Sequence, residues 1–225
     1  MQDMKNKLEI LYEDNQIIVV VKPINILSQS DSTLDIDMLT LVKEYIKEKY
    51  NKPGNVYIGL VHRLDRPTGG IMVFARNSKA AKRLSNQIQN KEFKKSYLAV
   101  IPGFNKQKGE LTNYIDKDSN GNSFITTKDK GKYAELKYEL IKKIDNLSLV
   151  KIDLITGRHH QIRIQFKNIG YPLYGDQRYG IKDNKQLALF AYRVEFFHPV
   201  SKERMVFIKY PNYGIFNKFL EVFYE

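Results

Sequence analysis

The 225-residue sequence predicts an α+β fold, a mixed and largely antiparallel central sheet with flanking helices. Strand-like segments come in pairs joined by short polar turns. Helix-period segments are few, and the two kinds alternate in an irregular order, which argues against a doubly wound or barrel architecture. No repeat, low-complexity tract or linker divides the chain, so residues 1–225 are expected to form a single domain.

The elements follow in order. Leu8–Tyr12 and Ile17–Val21 form strands around a turn at Glu13-Asp14-Asn15, and Pro23 ends the second because it cannot continue a ladder. Asp35–Tyr50 is an amphipathic helix carrying Met38, Leu41, Val42, Tyr45 and Ile46 at helical spacing, stopped by Pro53-Gly54. Ile71–Ala75 is a strand, and Ser78 caps a helix with Ala81, Leu84 and Ile88 on one side. Ser96–Ile101 is a strand. Asn105–Gly131 is polar and loop-like, with a hairpin turn at Asn120-Gly121. Ala134, Leu136, Tyr138 and Leu140 alternate with polar residues in a half-buried strand, partnered by Leu147–Ile155 through Asp145-Asn146. Leu187–Phe196 and Met205–Ile208 pair across His198-Pro199, and Asn217–Phe223 is a terminal helix.

Lys plus Arg number 37 against 25 Asp plus Glu, a net charge of +12, which attracts polyanions such as nucleic acid; solvated surface lysines are the blander reading. The chain has no cysteine, which excludes disulfides, thiolate nucleophiles and Cys-ligated zinc. Met1–Glu9 carries no apolar signal core and no apolar run approaches membrane-span length, so a cytoplasmic protein without membrane contact is expected.

Three segments carry chemistry. In Val61-His62-Arg63-Leu64-Asp65-Arg66-Pro67-Thr68-Gly69-Gly70, one carboxylate sits between two arginines, whose charge favours its ionised form. An ionised, positioned carboxylate serves as nucleophile or base, and the glycines let a ligand approach closely; a surface turn with an ion pair is the alternative. In Thr156–Phe166, Ile162, Phe166 and Ile169 line one face of a short helix ending at Gly170, with Arg163 on another face. The segment suits anion contact and ion pairing, or is simply a solvated polar helix. His159 and His160 are adjacent, so their side chains are expected to diverge. With no acidic partner at zinc spacing, no metal site is expected. Gly170–Gly180 is a structured loop whose tyrosines stack on bases or belong to core and rim.

Taken together, these residues resemble the RluA-type family of RNA pseudouridine synthases. Val21-Lys22-Pro23 fits the family's opening strand pair, and His62–Gly70 resembles its His-Arg-Leu-Asp-x-x-Thr-Ser-Gly signature. Lys95–Val100 is similar to its tyrosine strand, Gly157–Arg163 to Gly-Arg-x-His-Gln-Ile-Arg, Tyr171–Gly180 to Pro-x-x-Gly-Asp-x-x-Tyr-Gly, and Phe190–Pro199 to the strand ending in His-Pro. Any one match is weak; all of them in the family's order are strong.

The resemblance implies the pseudouridine synthase fold and isomerisation of uridine in a stem-loop of rRNA or tRNA. It makes Asp65 the nucleophile, sets Tyr97 against the target base with a part in proton removal, and gives Arg163 the ion pair that orients Asp65. Arg63 fills the gap left by the flipped uridine. His62, Leu64, Arg66, Thr68, Arg158, His160 and Gln161 join it as substrate-binding candidates. Neither cofactor nor metal is expected, and a monomer is. Gly69 stands where the family has Ser. No S4-like module is expected ahead of the catalytic domain, which leaves the basic insertion Asn105–Lys132 for substrate selection, if it is not a flexible hairpin. Two rivals stay open: a non-catalytic RNA binder, and a hydrolase using Asp65 with a second carboxylate such as Asp176.

Overall fold

A computed structural model describes residues 8–33 and 35–224, the side chain of Tyr224 excepted. Most of the N-terminal stretch discussed above lies outside them. In chain order the elements are β1 (Glu9–Glu13), β2 (Ile17–Lys22), α1 (Met38–Lys49), β3 (Gly59–Leu60), β4 (Gly69–Ala75), α2 (Ser78–Gln89), β5 (Lys94–Pro102), β6 (Lys108–Lys117), β7 (Ser123–Thr126), β8 (Lys132–Ile144), β9 (Leu147–Leu154), α3 (Gln161–Asn168), β10 (Leu189–Phe197), β11 (Arg204–Ile208), a 3₁₀ segment (Gly214–Phe219) and α4 (Leu220–Tyr224). The α+β class is as expected. The chain falls into two compact units: residues up to Phe93 with Arg193–Lys209, and Lys94–Tyr192 with Tyr210 onward.

In the first unit the strand order is β1-β2-β4-β10, with β11 on β10 and β3 on β4. β2 and β4 are buried along almost their whole length, which is why they read as continuous apolar runs rather than alternating ones. Ile17, Val19, Ile71, Val73 and Ala75 pack with Ala80 and Leu84 of α2 and with Phe93, Val194 and Phe196. Phe93 stacks on Phe196 at 5.1 Å and 9°, a pair contributing about 0.5–1.5 kcal/mol beyond its buried area. The antiparallel register pairs Ile17 with Ala75 and ends with Lys22 opposite Gly70.

Both helices of this unit begin at side-chain caps. The Asp37 carboxylate accepts Thr40 N–H, so α1 starts three residues after the expected Asp35. Asn77, not Ser78, caps α2, its Oδ1 accepting Ala80 N–H at 2.8 Å. The turn at Glu13-Asp14-Asn15 forms as expected because Asp14 Oδ1 accepts the amides of Gln16 and Ile17.

In the second unit β5, β9, β8, β6 and β7 lie side by side, and the ladders β5–β9, β9–β8, β8–β6 and β6–β7 are all antiparallel. The hairpin turn expected at Asn120-Gly121 forms, with Gly121 at φ +74°, and the polar segment flanking it is not loop but the strands β6 and β7. Ile115, Ala134 and Ile164 of α3 form its small core, flanked by Ile125 and Tyr179. An isolated hydrophobic row every second residue is a weak signal in so polar a stretch, which explains the miss. Beside it Phe104, Tyr138, Phe166 and Tyr171 meet edge to face at 5.2–5.8 Å. The terminal helix begins as a 3₁₀ segment three residues earlier than expected. No helix among the described residues is long and apolar enough to cross a membrane.

Gly70 holds φ +127°, a region costly for any residue with a Cβ, whereas Gly69 needs no positive φ. Gly70→Ala is therefore expected to lose at least about 1 kcal/mol in urea unfolding, and Gly69→Ala less. Equal losses would contradict this backbone account.

Candidate active site

The singled-out residues fall in both units and are taken unit by unit. In the first, Asp65 opens a turn closed by Thr68 N–H donating to Asp65 C=O at 2.9 Å. The turn is pinned from three sides. Ser28 Oγ donates to Leu64 C=O at 2.7 Å and accepts Leu64 N–H at 3.0 Å. His62 Nε2 accepts Val73 N–H from β4 at 3.0 Å, so its proton sits on Nδ1. Lys22, completely buried at the end of β2, donates from Nζ to Pro23 C=O at 2.9 Å and to Arg66 C=O at 3.0 Å.

Lys22 is the residue that sequence reasoning passed over, having noted it only as part of a strand pair. The available signal was a lysine closing the run Ile-Ile-Val-Val-Val with no break before Pro23. Burial pulls its pKa down to about 7; the Asp65 carboxylate opposes that fall and Arg66 adds to it. Asp65 therefore lies within electrostatic reach of a buried ammonium, not only of its two neighbouring arginines.

The two arginines differ in their surroundings. Arg66 pairs with Asp35 at 2.7 Å, both half exposed. Arg63 is exposed. His62, Leu64 and Thr68 are buried, and the bonds of His62 and Leu64 serve the turn itself. The Thr68 hydroxyl is buried without a hydrogen-bond partner among the described residues.

In the second unit, Tyr97 stands on β5 opposite Ile152 and is 6% exposed. Arg163 on α3 is buried and forms a bidentate pair with Asp176: Nε to Oδ2 at 2.9 Å and Nη2 to Oδ1 at 2.7 Å. Asp176 Oδ1 also accepts the amides of Arg178 and Tyr179, each at 3.0 Å. A carboxylate so engaged is a structural anchor, which removes it as the second acid of a hydrolase. The reading of α3 as a solvated helix is also overturned, since every residue from Gln161 to Phe166 is buried. The missing signal was the partner, thirteen residues away in the loop Gly170–Gly180.

That loop uses its tyrosines internally. Tyr171 meets Phe104, while Tyr179 Oη accepts Ser123 N–H at 2.9 Å and meets His160 Nδ1 at 2.7 Å. The Arg163 guanidinium lies over the Tyr179 ring at 5.1 Å. His159 and His160 do not diverge: their rings stack at 3.6 Å, because His160 adopts φ +51° and turns its side chain back. Burial first, then Arg163, lowers the His160 pKa and keeps the ring neutral. Gln161 holds the preceding loop, its Oε1 accepting Thr156 Oγ–H and Arg158 N–H and its Nε2 donating to Glu135 C=O. Arg158 is exposed and gives Nε to Tyr133 C=O. No group of three or more His, Asp or Glu among the described residues is placed to hold a metal ion.

The profile of the RNA pseudouridylate synthase family matches residues 16–168. The chain belongs to this family. It is 34% identical over 199 residues to ribosomal large subunit pseudouridine synthase D of Borreliella burgdorferi, covering 84% of this chain and 60% of that protein. Identity is 35% over 208 residues to an uncharacterized RNA pseudouridine synthase of Mycoplasma genitalium (89% and 66%). It is 33% over 210 residues to ribosomal large subunit pseudouridine synthase C of Buchnera aphidicola (88% and 65%). The chain thus spans about two thirds or less of these relatives' own lengths. In fold it is similar to human RNA pseudouridylate synthase domain containing 4, with a TM-score of 0.78, 18% identity, and coverage of 99% of this chain and 95% of that one.

Two measurements test how this site is held together. Asp176→Asn leaves a buried guanidinium underpaired and is expected to cost about 3–5 kcal/mol in chemical unfolding; a loss near zero would show that the pair is not a structural anchor. Lys22 releases its proton near pH 7 when folded and near 10.5 when unfolded, so the unfolded chain binds the extra proton between those values. Wild-type stability relative to Lys22→Met should then rise with pH over that window, at up to about 1.4 kcal/mol per unit, and a flat difference would contradict the burial of the ammonium.

Proposed function

We propose that residues 1–225 act as a single catalytic domain that isomerises specific uridines in structured RNA to pseudouridine, with Asp65 as nucleophile. The observation that carries this reading is the pinned turn: a carboxylate whose backbone is tied to β2, β4 and the Ser28 segment, with a buried ammonium in electrostatic reach. A nucleophilic carboxylate must stay ionised and stay put, and the hydrogen bonds of the turn with Lys22 nearby support both demands.

Asp65 attacks the target uridine and the N1–C1′ bond breaks; the bond to Asp65 breaks in turn as the product forms, which returns the free carboxylate. The uracil turns over, C5 bonds to C1′, and the C5 proton leaves while N1 gains one. Nothing is oxidised or reduced. A base inside a stem is out of reach, so it is flipped at a cost of a few kcal/mol, with Arg63 taking its place in the stack. Phosphate contacts of the basic surface offset that cost. Tyr97 packs against the flipped base and takes part in proton removal. Arg163, held rigid by Asp176, orients Asp65. The exposed Arg66 and Arg158 contact the substrate strand. Buried His62, Leu64, Thr68, His160 and Gln161 shape the loops that receive it, with the unpaired Thr68 hydroxyl offering the target nucleotide a hydrogen bond. The names of the relatives favour large-subunit ribosomal RNA over transfer RNA as substrate, and we place the activity in the cytoplasm and in a monomer.

Tritium release from RNA labelled at uridine C5 follows the proton that isomerisation must expel. Wild-type protein is expected to release it, and Asp65→Asn to release none while still binding RNA. Release by Asp65→Asn at the wild-type rate would exclude Asp65, and no release by wild type from any cellular RNA would leave a non-catalytic binder. Tyr97→Phe is expected to bind normally and turn over slowly; equal rates would show the hydroxyl to be dispensable.

A further inference from the structure

Lys95 precedes Tyr97 by two residues on β5, so the two side chains leave the strand on the same face. Lys95 is partly buried, and among the described residues its ammonium makes no hydrogen bond and no ion pair. Its ammonium rests over the backbone of Gly157: a Cβ built there would stand 3.1 Å from Lys95 Nζ. Gly157 belongs to the loop leading into α3, which is held rigid by Gln161 through Thr156 Oγ at 2.8 Å and Arg158 N at 2.9 Å. The lysine thus lies beside a rigid, side-chain-free patch of backbone, with the exposed Arg158 next in sequence.

An ammonium partly stripped of water and lacking an acid carries a desolvation cost that no group of the protein offsets. That burial also lowers its pKa. An incoming anion would relieve the cost. With no side chain at Gly157, which is exposed, the approach to Nζ from that side is not blocked by a Cβ. Elsewhere in this unit the charged groups of the site are already engaged, Arg163 with Asp176 above all.

We propose that Lys95 is a phosphate-binding residue that receives a backbone phosphate of the RNA strand at the nucleotide being modified, Gly157 providing the space. The proposal rests on the reading of RNA as substrate. It makes Lys95 a binding residue for the target strand, distinct from the groups that act on the base.

The test is equilibrium binding of a fluorescent, uridine-containing stem-loop RNA to the full chain across a salt series, with tritium-release kinetics alongside. Lys95→Gln should weaken binding, raise KM with kcat little changed, and lower the slope of log affinity against log salt by about 0.7–1. Lys95→Arg should keep the slope. Gly157→Ala, which leaves the lysine in place but crowds Nζ, should weaken binding without altering thermal stability. An unchanged slope for Lys95→Gln would overturn the proposal, as would loss of kcat at constant KM, which would place Lys95 in the proton-transfer step. Absence of tritium release by the wild-type protein would instead count against the isomerase reading, since the salt slope is measured without turnover.

Discussion

The buried ammonium of Lys22, bonded to the carbonyls of Pro23 and Arg66, ties the reactive turn to the sheet. The rest of the first unit follows from where that lysine must sit. It ends β2 opposite Gly70, and strand side chains alternate, so a slip of one residue would send it to the other face and release the turn. The apolar runs of β2 and β4 hold the register, because a slip would also rearrange the packing of Ile17, Val19, Ile71 and Val73 against α2. Hydrophobic burial in this unit thus fixes the position of one charge, and that charge fixes a backbone carbonyl next to Asp65.

The second unit applies the same logic with a carboxylate as anchor. Arg163 is surrounded by buried residues of its own helix, and Asp176 takes two of its donors there. Asp176 is in turn fixed by amides of its loop, and Tyr179 of that loop links to His160 and to Ser123 of the hairpin. The helix, the loop and the hairpin therefore share one polar network. Such a network holds side-chain positions better than apolar contact alone, because each member loses a partner if it moves.

Much of the fold was legible in the sequence, since period-2 and period-3.6 patterns report burial directly. Strand pairs flanking Asp14, Asp145 and His198 were legible because each turn carries its own chemistry. The turn of the β6–β7 hairpin was legible at Asn120-Gly121, but its strands were not, because their buried face consists of little more than Ile115 and Ile125 among lysines and aspartates. Asp65, Tyr97 and Arg163 stood out through an ordered set of motifs. Their immediate partners did not: Ser28 lies 36 residues from Leu64, Lys22 44 residues from Arg66, and Asp176 thirteen from Arg163. Local sequence carries no trace of such pairings, and a buried lysine looks like any other lysine until the strand around it is known to be covered on both faces.

The central claim is that Asp65, held on this turn, converts uridine to pseudouridine in RNA. The most direct measurement is pseudouridine mapping of total RNA from a strain lacking the gene, complemented with either the wild-type chain or Asp65→Asn. The account predicts one or a few uridines, in ribosomal RNA before transfer RNA, that are converted only with the wild-type chain. Conversion of the same sites by Asp65→Asn, or no site that depends on the wild-type chain, would contradict it.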